Sequence, residues 1–92
     1  MRETNVENRL VRLAKEKGGW AVKMSPVGLR GMPDRIVLAP GGRIAFVETK
    51  APGKVPRPLQ MARMRKLEAF GFRCWVADTM EKVDIFINEF FG

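Results

Sequence analysis

The apolar positions of the chain change period several times, and each change marks an element. From Thr4 to Lys17, the residues Val6, Leu10, Val11, Leu13 and Ala14 fall on one arc at about 100° per residue. That is the spacing of an amphipathic helix, and Gly18-Gly19 end it. Trp20 to Met24 alternates instead, with Trp20, Val22 and Met24 on one side of a short strand. After a flexible connection from Ser25 to Gly31, the pattern predicts a β-hairpin with arms at Ile36-Val37-Leu38 and Ile44, Phe46, Val47, turning at Pro40-Gly41-Gly42. Residues 51–58, APGKVPRP, are too interrupted by proline for strand or helix. Pro58 suits the first turn of a second helix that runs to about Phe70 and stops at Gly71. Leu59, Met64, Leu67 and Phe70 are expected to face inward with Gln60 on their side. Phe72 to Ala77 is a fourth strand, and Asp78-Thr79 caps a final helix with Met80, Val83, Ile87 and Phe90 as its inner stripe. Phe86 and Phe91 widen that stripe beyond the needs of one small core, which suggests a self-association surface. The order αβββαβα predicts an α/β fold: one mixed central sheet flanked by helices.

The hairpin carries the chemistry. Period-two alternation puts Ile44, Phe46, Glu48 and Lys50 on one face, so a carboxylate and an ammonium continue an apolar stripe expected to be buried. Burying such a pair is costly unless it has a partner or a job. The register decides whether Asp34 joins them. A two-residue Gly41-Gly42 turn would set Arg35 opposite Glu48, whereas a three-residue loop, Pro40 to Gly42, sets Asp34 opposite Glu48 on a common face. The odd loop is the expectation, and with an even register the site would not form.

Composition narrows the possibilities. The 92 residues make a single domain, 1–92, and a chain that opens on Met1 leaves little room for a preceding one. No apolar run approaches a membrane span, and MRETNVEN lacks a signal peptide's apolar stretch, so a cytoplasmic protein is expected. There is no histidine, which excludes serine–histidine chemistry and Cys/His zinc sites. The single cysteine, Cys74, lies in an apolar stretch and reads as a core thiol. Net charge is +7, and six of those charges fall between Arg43 and Arg73, where eight basic residues face Glu48 and Glu68 alone. That concentration, including Lys54, Arg57, Arg65 and Lys66, favours a polyanionic partner, with nucleic acid ahead of an acidic membrane surface. A merely solubilising basic surface is the plainer alternative.

Two facing carboxylates repel unless a cation lies between them. A hard divalent ion is the natural occupant, since Mg2+ takes one or two carboxylates and fills its octahedron with water and phosphate oxygens. Lys50 could orient a water or bind phosphate, and Gln60 could hold either in place. Glu7 falls within the apolar arc of the first helix, where it could add a third acid; equally, Thr4-Asn5-Val6-Glu7 fits a capping box with Glu7 returning to the Thr4 amide.

The arrangement Pro33-Asp34 … Glu48-Thr49-Lys50 resembles the PD-(D/E)XK nuclease superfamily. The longer pattern Lys23-x-Ser25-x-x-Gly28-x-Arg30-Gly31-x-Pro33-Asp34, with Val47-Glu48-Thr49-Lys50 and Gln60, resembles its VRR-Nuc branch. The resemblance implies a restriction-endonuclease-like core and DNA cleavage dependent on Mg2+, with Mn2+ as a substitute. It implies that Glu7, Asp34 and Glu48 are acidic site residues, that Thr49 is a metal ligand through its main-chain carbonyl, and that Lys50 and Gln60 assist them. Lys23, Ser25 and Arg30 would lie on the DNA side, Lys23 near the phosphate. Small stand-alone members, found in phages and bacteria, are similar to Holliday junction resolvases that act as homodimers on four-way DNA. The rivals are a nuclease for ordinary, nicked or flapped duplex and a non-catalytic basic nucleic-acid-binding module, which would leave three acids facing a polyanion without purpose.

Overall fold

A computed structural model describes residues 2–24 and 29–92. It contains α1 (Glu3–Glu16), β1 (Trp20–Lys23), β2 (Arg35–Ala39), β3 (Arg43–Thr49), α2 (Pro58–Ala69), β4 (Arg73–Ala77) and α3 (Met80–Phe91), the order read from the sequence. The strands form one sheet in the order β1-β2-β3-β4. The first three run antiparallel, and β4 joins β3 in parallel after the α2 crossover.

The hairpin has the odd loop. Ala39 pairs with Arg43 and Arg35 with Val47, so Pro40, Gly41 and Gly42 form the connection and one further step sets Asp34 beside Glu48. Gly41 and Gly42 both adopt positive φ, 86° and 74°, which side chains with a Cβ rarely tolerate.

Helices α1 and α3 cover one face of the sheet and pack on each other, closing a core of Val6, Leu10, Val37, Ala45, Val47, Val83, Phe86 and Ile87. Helix α2 lies on the other face. The face expected to carry the buried stripe is therefore corrected: the deeper core uses Ala45, Val47 and Thr49, all 0% exposed, while Ile44 on the opposite face is 40% exposed. Five consecutive residues, Ala45 to Thr49, are buried. An inner strand covered on both faces reads as a continuous apolar run, so alternation alone does not rank its faces.

Two helix assignments are also revised. On α2 only Met64 is buried; Leu59 is 44% and Phe70 71% exposed, because the helix lies against β4 and the site rather than across the whole sheet. On α3 the extra aromatics are consumed within the chain. Phe86 is fully buried, stacks on Phe90 and meets Trp75 edge-on, and Phe90 meets Phe91 edge-on. Phe91 lies over Gly19, where a Cβ would come within 2.5 Å of its ring. Of the two aromatics expected to widen an outer surface, Phe86 is spent on the core and Phe91 is partly buried. Thr79 caps it as expected, its hydroxyl accepting from the Lys82 amide at 3.1 Å.

Candidate active site

Asp34 precedes β2 and Glu48 is the penultimate residue of β3, and their side chains lock the two strand ends together. The Asp34 amide donates to Glu48 Oε1 at 3.1 Å. In return, Asp34 Oδ2 accepts from the Thr49 amide at 3.1 Å and from the Thr49 hydroxyl at 2.9 Å. The other oxygen of Glu48, Oε2, lies 3.0 Å from Lys50 Nζ and accepts from Gln60 Nε2 at 2.9 Å. Glu48 is 1% exposed and the Lys50 side chain 16%.

Each helper is itself fixed. The Lys50 amide donates to the Ala77 carbonyl at 2.9 Å, continuing the β3–β4 ladder past the strand end. The Gln60 carbonyl oxygen accepts from the Arg57 amide at 2.8 Å, an N-terminal capping bond of α2. With that oxygen engaged, the Gln60 NH2 group is the end left to face Glu48. The proline-interrupted stretch is tied to the frame through the Gly53 amide, which donates to Asp78 Oδ2 at 3.3 Å.

Burial is the main reason that the Glu48 carboxyl is raised above its ordinary pKa, and the Asp34 charge pushes it the same way. The Lys50 ammonium pulls it down without cancelling the burial. Two carboxylates against one ammonium form a locally negative, oxygen-rich group at the mouth of a basic surface. That donor set suits a hard divalent cation, which would be held by Asp34, Glu48 and the main chain at Thr49. Among the described residues there is no cluster of three or more His, Cys, Asp or Glu side chains that could hold a metal. The acidic set is a pair, and further ligands would have to be main-chain oxygen, water or phosphate.

Glu7 stands apart from that pair. It is 9% exposed and faces the sheet, as its place in the apolar arc implied, but it bonds Arg35 Nη2 at 2.8 Å and Lys23 Nζ at 3.3 Å. The capping box with Thr4 does not form, because α1 begins earlier, with Arg2 at its N-cap and no side-chain cap. Arg35 is the residue that sequence reasoning missed. Its guanidinium, 15% exposed, also donates to the Ala21 carbonyl at 3.0 Å. A signal existed: the odd register that turns Asp34 toward Glu48 turns Arg35 to the opposite face, where a buried acid on α1 needs a cation. The Thr49 hydroxyl was missed as well, the expected role being that of its carbonyl.

Of the remaining basic residues, Lys54 and Arg57 lie on the segment leading to Gln60 and are exposed, as are Arg65 and Lys66 on α2 and Arg30 before the hairpin. The Arg30 carbonyl accepts from Arg63 Nε at 2.9 Å, which ties the hairpin approach to α2. Ser25 and Gly28 lie outside the described residues. Cys74 is half-buried, its thiol pushed up to about 11 by burial and directed at the Met64 carbonyl at 3.6 Å, in keeping with a packing role.

No family model matches the chain. A phage protein named "Putative nuclease p44", from Acyrthosiphon pisum secondary endosymbiont phage 1, is 42% identical over 81 residues, covering 88% of this chain and 87% of the relative. A solved structure named VRR_NUC domain superposes with a TM-score of 0.89 at 29% identity, covering 96% of both chains. A second, named VRR_NUC domain protein, reaches 0.78 at 20% identity over all of this chain and 91% of its own, a likeness of fold. With a close relative in sequence, a shared fold, and an acid pair, lysine and glutamine held together at one end of the hairpin, the chain belongs to the VRR-Nuc family of nucleases.

Proposed function

We propose that the protein is a divalent-metal-dependent endodeoxyribonuclease of the PD-(D/E)XK type, with Asp34, Glu48, Lys50 and Gln60 at its centre, and that it cuts four-way (Holliday) junctions as a homodimer. The observation that supports this best is the convergence on the buried Glu48 carboxylate of the Asp34 main chain and charge, the Lys50 ammonium and the Gln60 amide. A purely DNA-binding surface gains nothing from a buried carboxylate with a second acid beside it, which repel phosphate.

Mg2+, or Mn2+ in its place, would supply positive charge against the phosphate and a more acidic water. Asp34 and Glu48 would hold it together with the Thr49 carbonyl. Lys50 would orient the attacking water or steady the phosphate. Gln60 would keep Glu48 in its rotamer throughout. Glu7 enters as a positioning residue that holds Arg35 and Lys23 beside the hairpin. Lys23, Ser25, Arg30, Lys54, Arg57, Arg65 and Lys66 would take up the DNA backbone. A junction needs two symmetric cuts, and a two-fold pair of these chains would supply two sites in fixed relation. No helix among the described residues is long and apolar enough to cross a membrane, and the proposed setting is the cytoplasm of a bacterial cell, with a phage origin for the gene.

The test is a cleavage assay with Mg2+ or Mn2+ on four-way, nicked, flapped and linear duplex DNA, with Lys50→Ala as control and sedimentation alongside. Paired cuts in the junction by a dimer, lost in the variant, are expected. Equal cutting of linear duplex would discard junction specificity. Tight binding without cutting under any metal would discard the catalytic proposal.

A further inference from the structure

The register of the sheet sets Trp20, Leu38 and Ile44 side by side across β1, β2 and β3. Phe72, one residue before β4, completes the row beside Ile44, and its ring meets Phe46 edge-on at 5.5 Å on the same face. Alternation directs this row away from α1 and α3. Helix α2, packed on β4, leaves much of it open: Trp20 is 66%, Ile44 40% and Phe72 39% exposed, and Leu38 is half-buried. An open sheet face ordinarily carries polar side chains. Here the cations of the strands project to the other face, where Lys23 and Arg35 meet Glu7, Arg43 meets the Phe90 carbonyl and Arg73 approaches Glu89. In a chain of net charge +7, the row is an uncharged apolar surface of roughly 300 Å2, by the usual size of such side chains. Contiguous apolar patches of that size are often where a protein meets a partner.

We propose that this row, Trp20, Leu38, Ile44 and Phe72, is the surface through which two copies of the chain pair. From one sheet edge to the other it reads aromatic, aliphatic, aliphatic, aromatic, the same in both directions. An isologous contact needs that self-complementarity. About a two-fold axis running between β2 and β3 in the plane of contact, aromatic meets aromatic and aliphatic meets aliphatic. Charge selects the same occupant. Nucleic acid finds no cation in the row, and two chains of +7 approach with least repulsion through a surface that bears no charge. Stable interfaces bury about 800 Å2 per partner, so the row is the apolar centre of the contact and the polar surface around it the rim. The acid pair stays outside: Glu48 lies four residues along β3 from Ile44, about 13 Å away. The inference rests on the homodimer of the reading above and gives it a surface; it depends on neither the metal nor Lys50.

Sedimentation equilibrium of the full chain over a range of concentrations, in chelator and without DNA, reads the pairing apart from any cleavage. The wild type should reach twice the chain mass of 10.4 kDa. Ile44→Lys and Trp20→Lys should each raise the dimer dissociation constant about 100-fold or more, because a two-fold contact buries the new ammonium twice. Val55→Lys adds the same charge outside the row, at a residue 78% exposed, and should remain a dimer. Circular dichroism checks folding. If Ile44→Lys does not fold, Trp20→Lys decides, since a residue two-thirds exposed on an edge strand can carry its lysine into water. Dimers in all three variants would overturn the interface and leave the homodimer standing. A wild type that stays monomeric at every concentration would overturn both, with the nuclease chemistry still judged by the cleavage assay. Dissociation of Val55→Lys to the same extent would trace the loss to added charge alone and would also overturn the interface.

Discussion

The two faces of the central sheet are built on opposite terms. Under α1 and α3 the sheet is sealed by hydrocarbon: α1 buries three apolar residues and α3 four, and Phe86 alone joins Trp75 and Phe90. Helix α2 itself buries a single residue, Met64, and the most tightly enclosed side chain on that side of β3 is Glu48. The first face supplies folding free energy through apolar area. The second uses that rigidity to keep an ionisable pair where solvent would otherwise separate it. A small nuclease can hold a costly site on one face because the other is mostly apolar, with the Glu7–Arg35 pair and Thr49 as its buried polar residues.

The contrast between the faces is tested most severely at the acids. Asp34→Asn and Glu48→Gln should each lower cleavage by about 10³-fold or more while leaving the fold intact and DNA affinity equal or higher, since a charge that repels phosphate is removed. Either variant cutting at the wild-type rate would dismiss the pair as the catalytic centre. On the sealed face the effect should be on stability. Phe86→Ala should cost about 3–5 kcal/mol of unfolding free energy in urea, whereas Phe70→Ala should stay within about 0.5 kcal/mol. Comparable losses would mean that α2 seals its face as α3 does.

Glu7→Gln probes the exception. It leaves the largely enclosed Arg35 guanidinium without its counter-charge, facing a neutral amide and the Ala21 carbonyl, and should cost about 1–3 kcal/mol. If stability is unchanged but cleavage fails, Glu7 belongs to the chemistry rather than to the positioning of Arg35. Charge reversal at Arg57 and Arg65 should weaken DNA binding and flatten its dependence on salt, by about 0.9 in the logarithmic slope for each phosphate no longer neutralised. An unaltered slope would move the DNA off α2.

The smallest effect is the pH dependence of stability. The folded pKa of Glu48 is raised by burial above its value in the unfolded chain. Between the two values the folded state binds more protons, so the Glu48 contribution is full below the unfolded pKa and is lost as pH rises through the folded one. The melting temperature of the wild type relative to Glu48→Gln should therefore fall with rising pH across that window. Added Mg2+ should suppress the fall, by favouring the ionised carboxylate. A difference that rises with pH in metal-free buffer would mean that Lys50 outweighs burial.

Much of this architecture was legible before any fold was known, because its causes are local. Helical and strand periods, Gly18-Gly19 and Gly71 as stops, and Thr79 as a cap are properties of short stretches, and they set all seven elements in order. Turn stereochemistry did more: Pro40-Gly41-Gly42 set the register that brings Asp34 to Glu48, and alternation put Lys50 on the same face. What required the tertiary structure was everything that depends on which surfaces meet. Alternation names two faces of β3 but cannot rank them when both are covered, so the deeper core at Ala45, Val47 and Thr49 emerged only with α1 and α3 in place. A helical arc turns Glu7 inward without saying whether a cation or another acid awaits it; the packing of α1 over β1 and β2 supplied Arg35 and Lys23. The count of aromatics in α3 suggested a surplus, but a count cannot show that Gly19 opens room for Phe91 or that Phe86 and Phe90 stack on each other. Local sequence specifies conformation and side-chain direction, while burial, and with it the partner of every charge, is a property of the assembled layers.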